Sequence, residues 1–171
     1  SATACEPGTI AASARATVCD ACIAGKYQST SGQTACADVL AGSYSLSRAT
    51  SPTDCGPGQY SATDGASACD SCAAGTYQSA SGETVCVACD AGTYCEAGAS
   101  APTACSAGSY REATHGQSQA DCDACRAGSA CPQGAKAMTS CAPGTITATD
   151  GLSACAKCDA GKYQPLEGKT A

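Results

Sequence analysis

Large apolar side chains never gather in this chain; they recur singly, at a fixed place in a short motif. Gly followed two residues later by Tyr appears at Gly25/Tyr27, Gly42/Tyr44, Gly58/Tyr60, Gly75/Tyr77, Gly92/Tyr94, Gly108/Tyr110 and Gly161/Tyr163. Three further copies carry an aliphatic residue in the aromatic slot: Gly8/Ile10, Gly144/Ile146 and Gly128/Ala130. Self-similarity of this kind is read before any single element. All seven Tyr of the protein occupy the slot, and a Cys stands three residues before every Gly except at Val39. Tyr, Thr and Ile favour pleated backbone, so each Gly-x-Tyr opens a short strand. A second Gly follows at Gly32, Gly65, Gly82, Gly151 and Gly168, twice as the tight-turn pairs Asp64-Gly65 and Asp150-Gly151. A return strand then carries the closing Cys. The pattern predicts tandem β-hairpins, and helix is disfavoured where Gly, Pro, Ser and Thr punctuate every window.

The units are of three kinds. The first reads C-x-[PA]-G and spans Cys5–Cys19, Cys55–Cys69, Cys105–Cys122 and Cys141–Cys155; the second, C-x-A-G-[KT]-Y-Q, starts at Cys22, Cys72 and Cys158. The third starts at Val39, Cys89 and Cys125. Taken in order they form a super-repeat of 50 residues, as from Cys5 to Cys55, and the third copy lacks the second kind of unit. The expected organisation is a tail of a preceding repeat at 1–4, super-repeats at 5–54, 55–104 and 105–140, and a truncated copy at 141–171. Both ends fall inside the pattern, so a segment of a longer array is expected.

Composition changes the picture from weak to specific. Leu, Ile and Val together number 11 in 171 residues, with no Phe and no Trp, which excludes an ordinary aliphatic core. Net charge is only −6, short of the repulsion that accompanies disorder, and 17 Cys take the place of the core as covalent staples. Such a density implies an oxidising, extracellular compartment. No leader-like segment and no membrane span is present, so an export signal is expected upstream. Nine scattered basic residues exclude a nucleic-acid surface.

Half-cystines that pair should vanish together, and the repeats use this rule. Cys89 and Cys95 are six apart, as are Cys125 and Cys131, whereas the first copy has Val39 and Ser45 in both places. That assigns Cys89–Cys95 and Cys125–Cys131. The remainder pairs within units: Cys5–Cys19, Cys22–Cys36, Cys55–Cys69, Cys72–Cys86, Cys105–Cys122 and Cys141–Cys155, with Cys158 left for a Cys beyond Ala171. Crossed pairing, such as Cys19 with Cys36, stays open at this point.

The pattern C-x-[PA]-G-x-Y-x(n)-G-x-[ST]-x-C-x2-C resembles the ephrin-receptor-like cysteine-rich repeat, and is also similar to the first submodule of tumour-necrosis-factor-receptor cysteine-rich domains. The resemblance covers essentially the whole chain and is best over Cys22 to Cys36 and Cys55 to Cys89. It implies short hairpins with local disulfides stacked into an elongated rod or solenoid, a small disulfide-rich, mainly β and irregular fold. Such repeats occur in receptor ectodomains, protist surface proteins and algal flagellar-hair (mastigoneme) proteins. The third kind of unit departs from the family pattern, which leaves its conformation open.

Chemistry-bearing constellations are few. His115 is the only His, in the insertion Ala113-Thr-His-Gly116, and the Ser and Thr have no base to activate them, so no catalytic residue is assigned and an enzyme is not expected. Cys69-x2-Cys72-x13-Cys86-x2-Cys89 approaches zinc-ribbon spacing, but the other copies break the four-ligand set, which favours disulfides over a metal. Asp20, Asp70 and Asp123 lie in C-x2-C linkers, with Asp90 and Asp159 just beyond them, and read as a solvated edge rather than a calcium loop. No cofactor is implied. Tyr27, Tyr44, Tyr60, Tyr77, Tyr94, Tyr110 and Tyr163 read as a packing spine, each ring covering a neighbouring disulfide. Ser and Thr number 38 and Asn is absent, which excludes N-linked glycans and directs attention to O-glycans near Ser51-Pro-Thr53 and Ala101-Pro-Thr103. The expected function is a disulfide-stapled strut of a cell-surface appendage or filament. Its expected partners are copies of itself, other surface proteins or glycans. The alternative is a receptor or adhesin ectodomain presenting the array to a protein or glycan ligand.

Overall fold

The computed structural model of the chain describes residues 4–13 and 16–170. The expected tail of a preceding repeat falls at 1–4, so only Ala4 of it is described; Ala171, next to the expected partner of Cys158, also lies outside. The chain divides into two compact units. One comprises Ser1–Cys72 with Gln78–Cys86, the other Ala73–Tyr77 with Val87–Ala171.

In the first unit four antiparallel hairpins follow one another. They pair Thr9–Ile10 with Asp20–Ala21, Lys26–Tyr27 with Ala37–Asp38, Ser43–Tyr44 with Thr53–Asp54, and Gln59–Tyr60 with Asp70–Ser71. The second unit holds five: Thr76–Tyr77 with Val87–Ala88, Thr93–Tyr94 with Thr103–Ala104, Ser109–Tyr110 with Asp123–Ala124, Ser129–Ala130 with Thr139–Ser140, and Thr145–Ile146 with Ala156–Lys157. Every strand is two residues long, and a single 3-10 turn at Gln119–Asp121 is the only helical element among the described residues. The fold is therefore the small, disulfide-rich, hairpin-based class that the motif predicts. The units beginning at Val39, Cys89 and Cys125, whose conformation the sequence left open, form the same hairpin as the rest.

The local cause lies in the four residues that open each hairpin. In the first, the Thr9 N–H donates to the Glu6 carbonyl at 3.1 Å across Pro7-Gly8, and Gly8 has φ 81°. This is a type II turn: Pro pre-sets φ at its second residue and its third needs φ > 0. Pro57-Gly58 and Pro143-Gly144 repeat it, and Ala stands in for Pro in most of the other units. The turn glycine's carbonyl then accepts the N–H of the residue that opens the next unit, as from Cys22 to Gly8 at 2.9 Å. Each hairpin base thus hands the chain directly to its successor.

Consecutive hairpins are tied by backbone hydrogen bonds. Between the second and third, Gly25 N–H donates to Ser45 O (2.9 Å), Gln28 N–H to Ala49 O (3.1 Å), and Arg48 N–H back to Cys22 O (2.8 Å). The same triplet joins the seventh and eighth hairpins, through Gly108 to Cys131 (2.8 Å), Arg111 to Ala135 (3.1 Å) and Gly134 to Cys105 (2.9 Å). The residue at the hairpin tip that donates backwards is usually Gly, but Arg48 and His115 hold that place with φ 64° and 59°. Left-handed backbone is uncommon for such residues.

What these bonds enclose is sulfur and small side chains. Cys5, Cys22, Cys55, Cys72, Cys89, Cys105, Cys125 and Cys141 are buried, together with Val39, Ser45, Ser61 and Thr147. Most large aliphatic residues are outside: Val18, Ile23, Leu40, Leu46 and Val85 are each more than 60% exposed, from 62% to 71%. Aliphatic burial cannot be what holds the hairpins in register.

Candidate functional site

The feature that recurs along both units is the seam where one hairpin meets the next, and its chemistry is that of the half-cystines. Eight disulfides are formed: Cys5–Cys19, Cys22–Cys36, Cys55–Cys69, Cys72–Cys86, Cys89–Cys95, Cys105–Cys122, Cys125–Cys131 and Cys141–Cys155. Cys158 is a free, half-buried thiol. Six bridges span a hairpin from base to return strand. The other two close six-residue separations at Cys89–Cys95 and Cys125–Cys131 and sit wholly inside the seam. The four cysteines of near zinc-ribbon spacing are divided among three bridges, since Cys69 joins Cys55, Cys72 joins Cys86 and Cys89 joins Cys95.

Val39 and Ser45 occupy the equivalent place in the third hairpin, exposed by 0% and 2%. Instead of a bridge, the Ser45 hydroxyl donates to the Lys26 carbonyl at 3.0 Å. The double substitution Val39→Cys with Ser45→Cys is expected to form a ninth bridge of the Cys89–Cys95 type. Closing so short a loop stabilises by about 1–2 kcal/mol net of the lost packing and hydrogen bond. A urea titration of the first unit's unfolding, with and without reductant, checks this.

The tyrosines stand at hairpin edges, half-buried from Tyr27 through Tyr110. Tyr110 packs against the Cys125–Cys131 bridge and Ala135. Through their backbone Tyr27, Tyr94 and Tyr110 also bridge in parallel to Ala49, Gly116 and Ala135 of the following hairpin. Tyr163 differs, at 84% exposed.

Polar side chains stitch the same seam. The carboxylates of Asp64 and Asp150 each accept a backbone N–H of the preceding hairpin, from Ala41 and Ala127, both at 2.8 Å. The Asp-Gly pairs therefore do more than turn the chain. Lys26 and Asp38 form an exposed ion pair across one hairpin at 2.6 Å, a contribution of about 0–1 kcal/mol. Asp20, Asp70, Asp90, Asp123 and Asp159 are all solvent-exposed, and among the described residues no three His, Cys, Asp or Glu side chains converge on one cation position.

The insertion in the seventh hairpin builds its own scaffold. Arg111 donates from Nη1 to the Asp121 carbonyl (2.8 Å) and from Nη2 to the Thr114 carbonyl (3.1 Å), spanning the loop. The Asp121 carboxylate accepts the backbone N–H groups of Gln117 (2.6 Å) and Ser118 (3.1 Å). Those hydrogen bonds, first from Gln117 and then from Ser118, hold its pKa below the ordinary 3.8, with the Arg111 charge adding to them. A carboxylate with a depressed folded pKa stabilises above its unfolded value, and that contribution is lost as pH falls through the folded one. Amide exchange at Gln117 and Ser118 is accordingly expected to accelerate selectively below pH 3.8 relative to the Gly108 and Cys125 amides, checked by hydrogen exchange along an acid series. His115 in this loop is exposed, with Nδ1 at 3.0 Å from the Thr114 hydroxyl; no carboxylate accompanies it in the described contacts.

An open cleft of about 630 Å³ in the first unit is lined by Cys5, Glu6, Thr9, Val18, Cys19 and Arg48 among others. Residues 58–103 match a known family model, described as Tyrosine-protein kinase ephrin type A/B receptor-like. The matched stretch takes in the whole second-kind hairpin, most of the first-kind unit before it and most of the third-kind hairpin after it. The same turn, bridge and backbone triplet continue outside it, so the chain is a tandem cysteine-rich repeat array. No curated protein matches the chain. Eight disulfides and the ephrin-receptor-like match point to an extracellular or secreted location. Among the described residues no helix is long and apolar enough to cross a membrane.

Proposed function

We propose that this chain is a length of a non-enzymatic structural array, a disulfide-stapled strut in a cell-surface appendage or filament of the mastigoneme kind. One observation carries the reading: backbone hydrogen bonds run from hairpin to hairpin, while every hairpin but the third, where Val39 and Ser45 stand in place of half-cystines, carries a disulfide of its own. A load applied along such a seam is shared by many short bonds in parallel, and a bridged hairpin cannot unravel far before its disulfide stops it. Ala, Ser and Thr on the exposed surface leave room for close lateral packing against copies of the chain or other surface proteins. The 50-residue super-repeat is the period such an assembly would inherit. Cys158 would complete its bridge with a half-cystine of the next unit.

Electron microscopy and sedimentation of the purified native assembly test this. Fibres with a regular axial period support it. A strictly monomeric protein that captures a soluble protein or glycan ligand would instead establish the receptor or adhesin reading.

A further inference from the structure

The eight bridges fall into two classes by access. In the six that span a hairpin, the opening half-cystine is buried but the closing one is not: Cys19 is exposed, and Cys36, Cys69, Cys86, Cys122 and Cys155 are half-exposed. In Cys89–Cys95 and Cys125–Cys131 all four half-cystines are 0% exposed. The two classes are unequally shared. The first unit contains only accessible bridges, because Val39 and Ser45 stand where its protected bridge would be. The second contains both protected ones.

We infer that the array is a graded redox device, in which a thiol reductant releases the first unit while the second stays stapled. Thiol–disulfide exchange needs a thiolate to reach one sulfur, so access sets the rate. A dithiol attacks the closing sulfur of an accessible bridge. The opening cysteine leaves as a thiolate and takes up a proton, and the reductant's second thiol expels the closing cysteine. Each bridge gains two electrons and two protons, and the dithiol departs as a cyclic disulfide. At Cys89–Cys95 and Cys125–Cys131 the same attack must wait for the seam to open, because the seventh hairpin's Gly116 carbonyl and the ninth hairpin's Leu152 carbonyl cap the Cys95 and Cys131 amides at 2.8 and 3.0 Å. Short loops also reclose fast once broken. Reduction therefore stops at a defined species with two bridges left, both in one unit, and with the first unit held by non-covalent bonds alone.

The test is graded reduction of the 171-residue chain by dithiothreitol without denaturant, with the thiols trapped by iodoacetamide and mapped by mass spectrometry. Cys158→Ser is used throughout, so that the free thiol cannot start exchange internally. Trapping at Cys19, Cys36, Cys69 and Cys86 is expected on the order of 100-fold faster than at Cys89, Cys95, Cys125 and Cys131, as for groups exposed only by local opening. Hydrogen exchange at the same stages should rise in the first unit before the second. Equal trapping rates at all sixteen positions, or loss of protection in both units together, would overturn the inference. The Val39→Cys/Ser45→Cys variant keeps the idea testable in the other direction. Its added bridge should react as slowly as Cys89–Cys95 and should delay opening of the first unit; fast trapping at positions 39 and 45 counts against burial as the controlling factor.

Discussion

Gly42→Ala is expected to unfold the seam around the third hairpin, at a cost of at least ~3 kcal/mol, whereas Gly144→Ala costs about 1 kcal/mol. Both glycines have φ above +20°, at 89° and 80°, so an alanine at either site carries the same left-handed penalty. The difference lies in what a Cβ would meet. At Gly42 it would drive into the carbonyl of Gly82, which is backbone and held in place by the Gly82 N–H bond to Cys55 O at 2.8 Å. At Gly144 nothing stands within 4 Å. The carbonyl cannot move aside without giving up the bond that ties its tip to the third unit's neighbour. Guanidinium unfolding of the two variants separates the terms. Equal midpoints would show that the close approach at Gly42 contributes nothing.

Removing the bridge in the fourth hairpin, with Cys55→Ala and Cys69→Ala together, should cost about 3 kcal/mol, the entropy of an unfolded loop of its length. The buried Cys55, exposed by 0%, would also lose its sulfur from the interior. Replacing the exposed Lys26–Asp38 pair by two alanines, in contrast, should change stability by less than about 1 kcal/mol. Differential scanning calorimetry of the two double variants ranks them. A bridge that proved no more valuable than a surface ion pair would mean that the backbone bonds hold the hairpins without covalent help.

The hairpins were legible because their signals are side-chain signals. Gly-x-Tyr marks the outgoing strand, Asp64-Gly65 and Asp150-Gly151 mark tips, and scarcity of Leu, Ile and Val excludes an aliphatic core. The opening type II turn was written in Pro7-Gly8 and Pro57-Gly58 and could have been read there. The bonds between hairpins could not, since backbone N–H and carbonyl groups leave no trace in residue identity. Arg48 and His115 show the same limit. Neither is a turn residue by composition, yet each stands in the tip place that Gly32 and Gly65 hold elsewhere, and only its distance from Cys22 or Cys89, 26 residues upstream in each case, gives it away. The column of tyrosines was visible in the spacing, but what each ring meets depends on the following hairpin. Tyr110 has a bridge beneath it; Tyr163 stays in solvent.

Because each hairpin's backbone hydrogen bonds run within itself and to its immediate neighbours, the unit of change in this architecture is one whole hairpin. Between Cys122 and Cys125 a first-kind unit runs straight into a third-kind unit, and the turn glycine, tip residue and post-tyrosine amide still find their three acceptors. Lengthening or shortening such a protein in whole modules leaves every surviving joint intact, whereas adding or losing a few residues at a hairpin base would put two joints out of step at once. Its reach can be adjusted freely, but only in discrete increments.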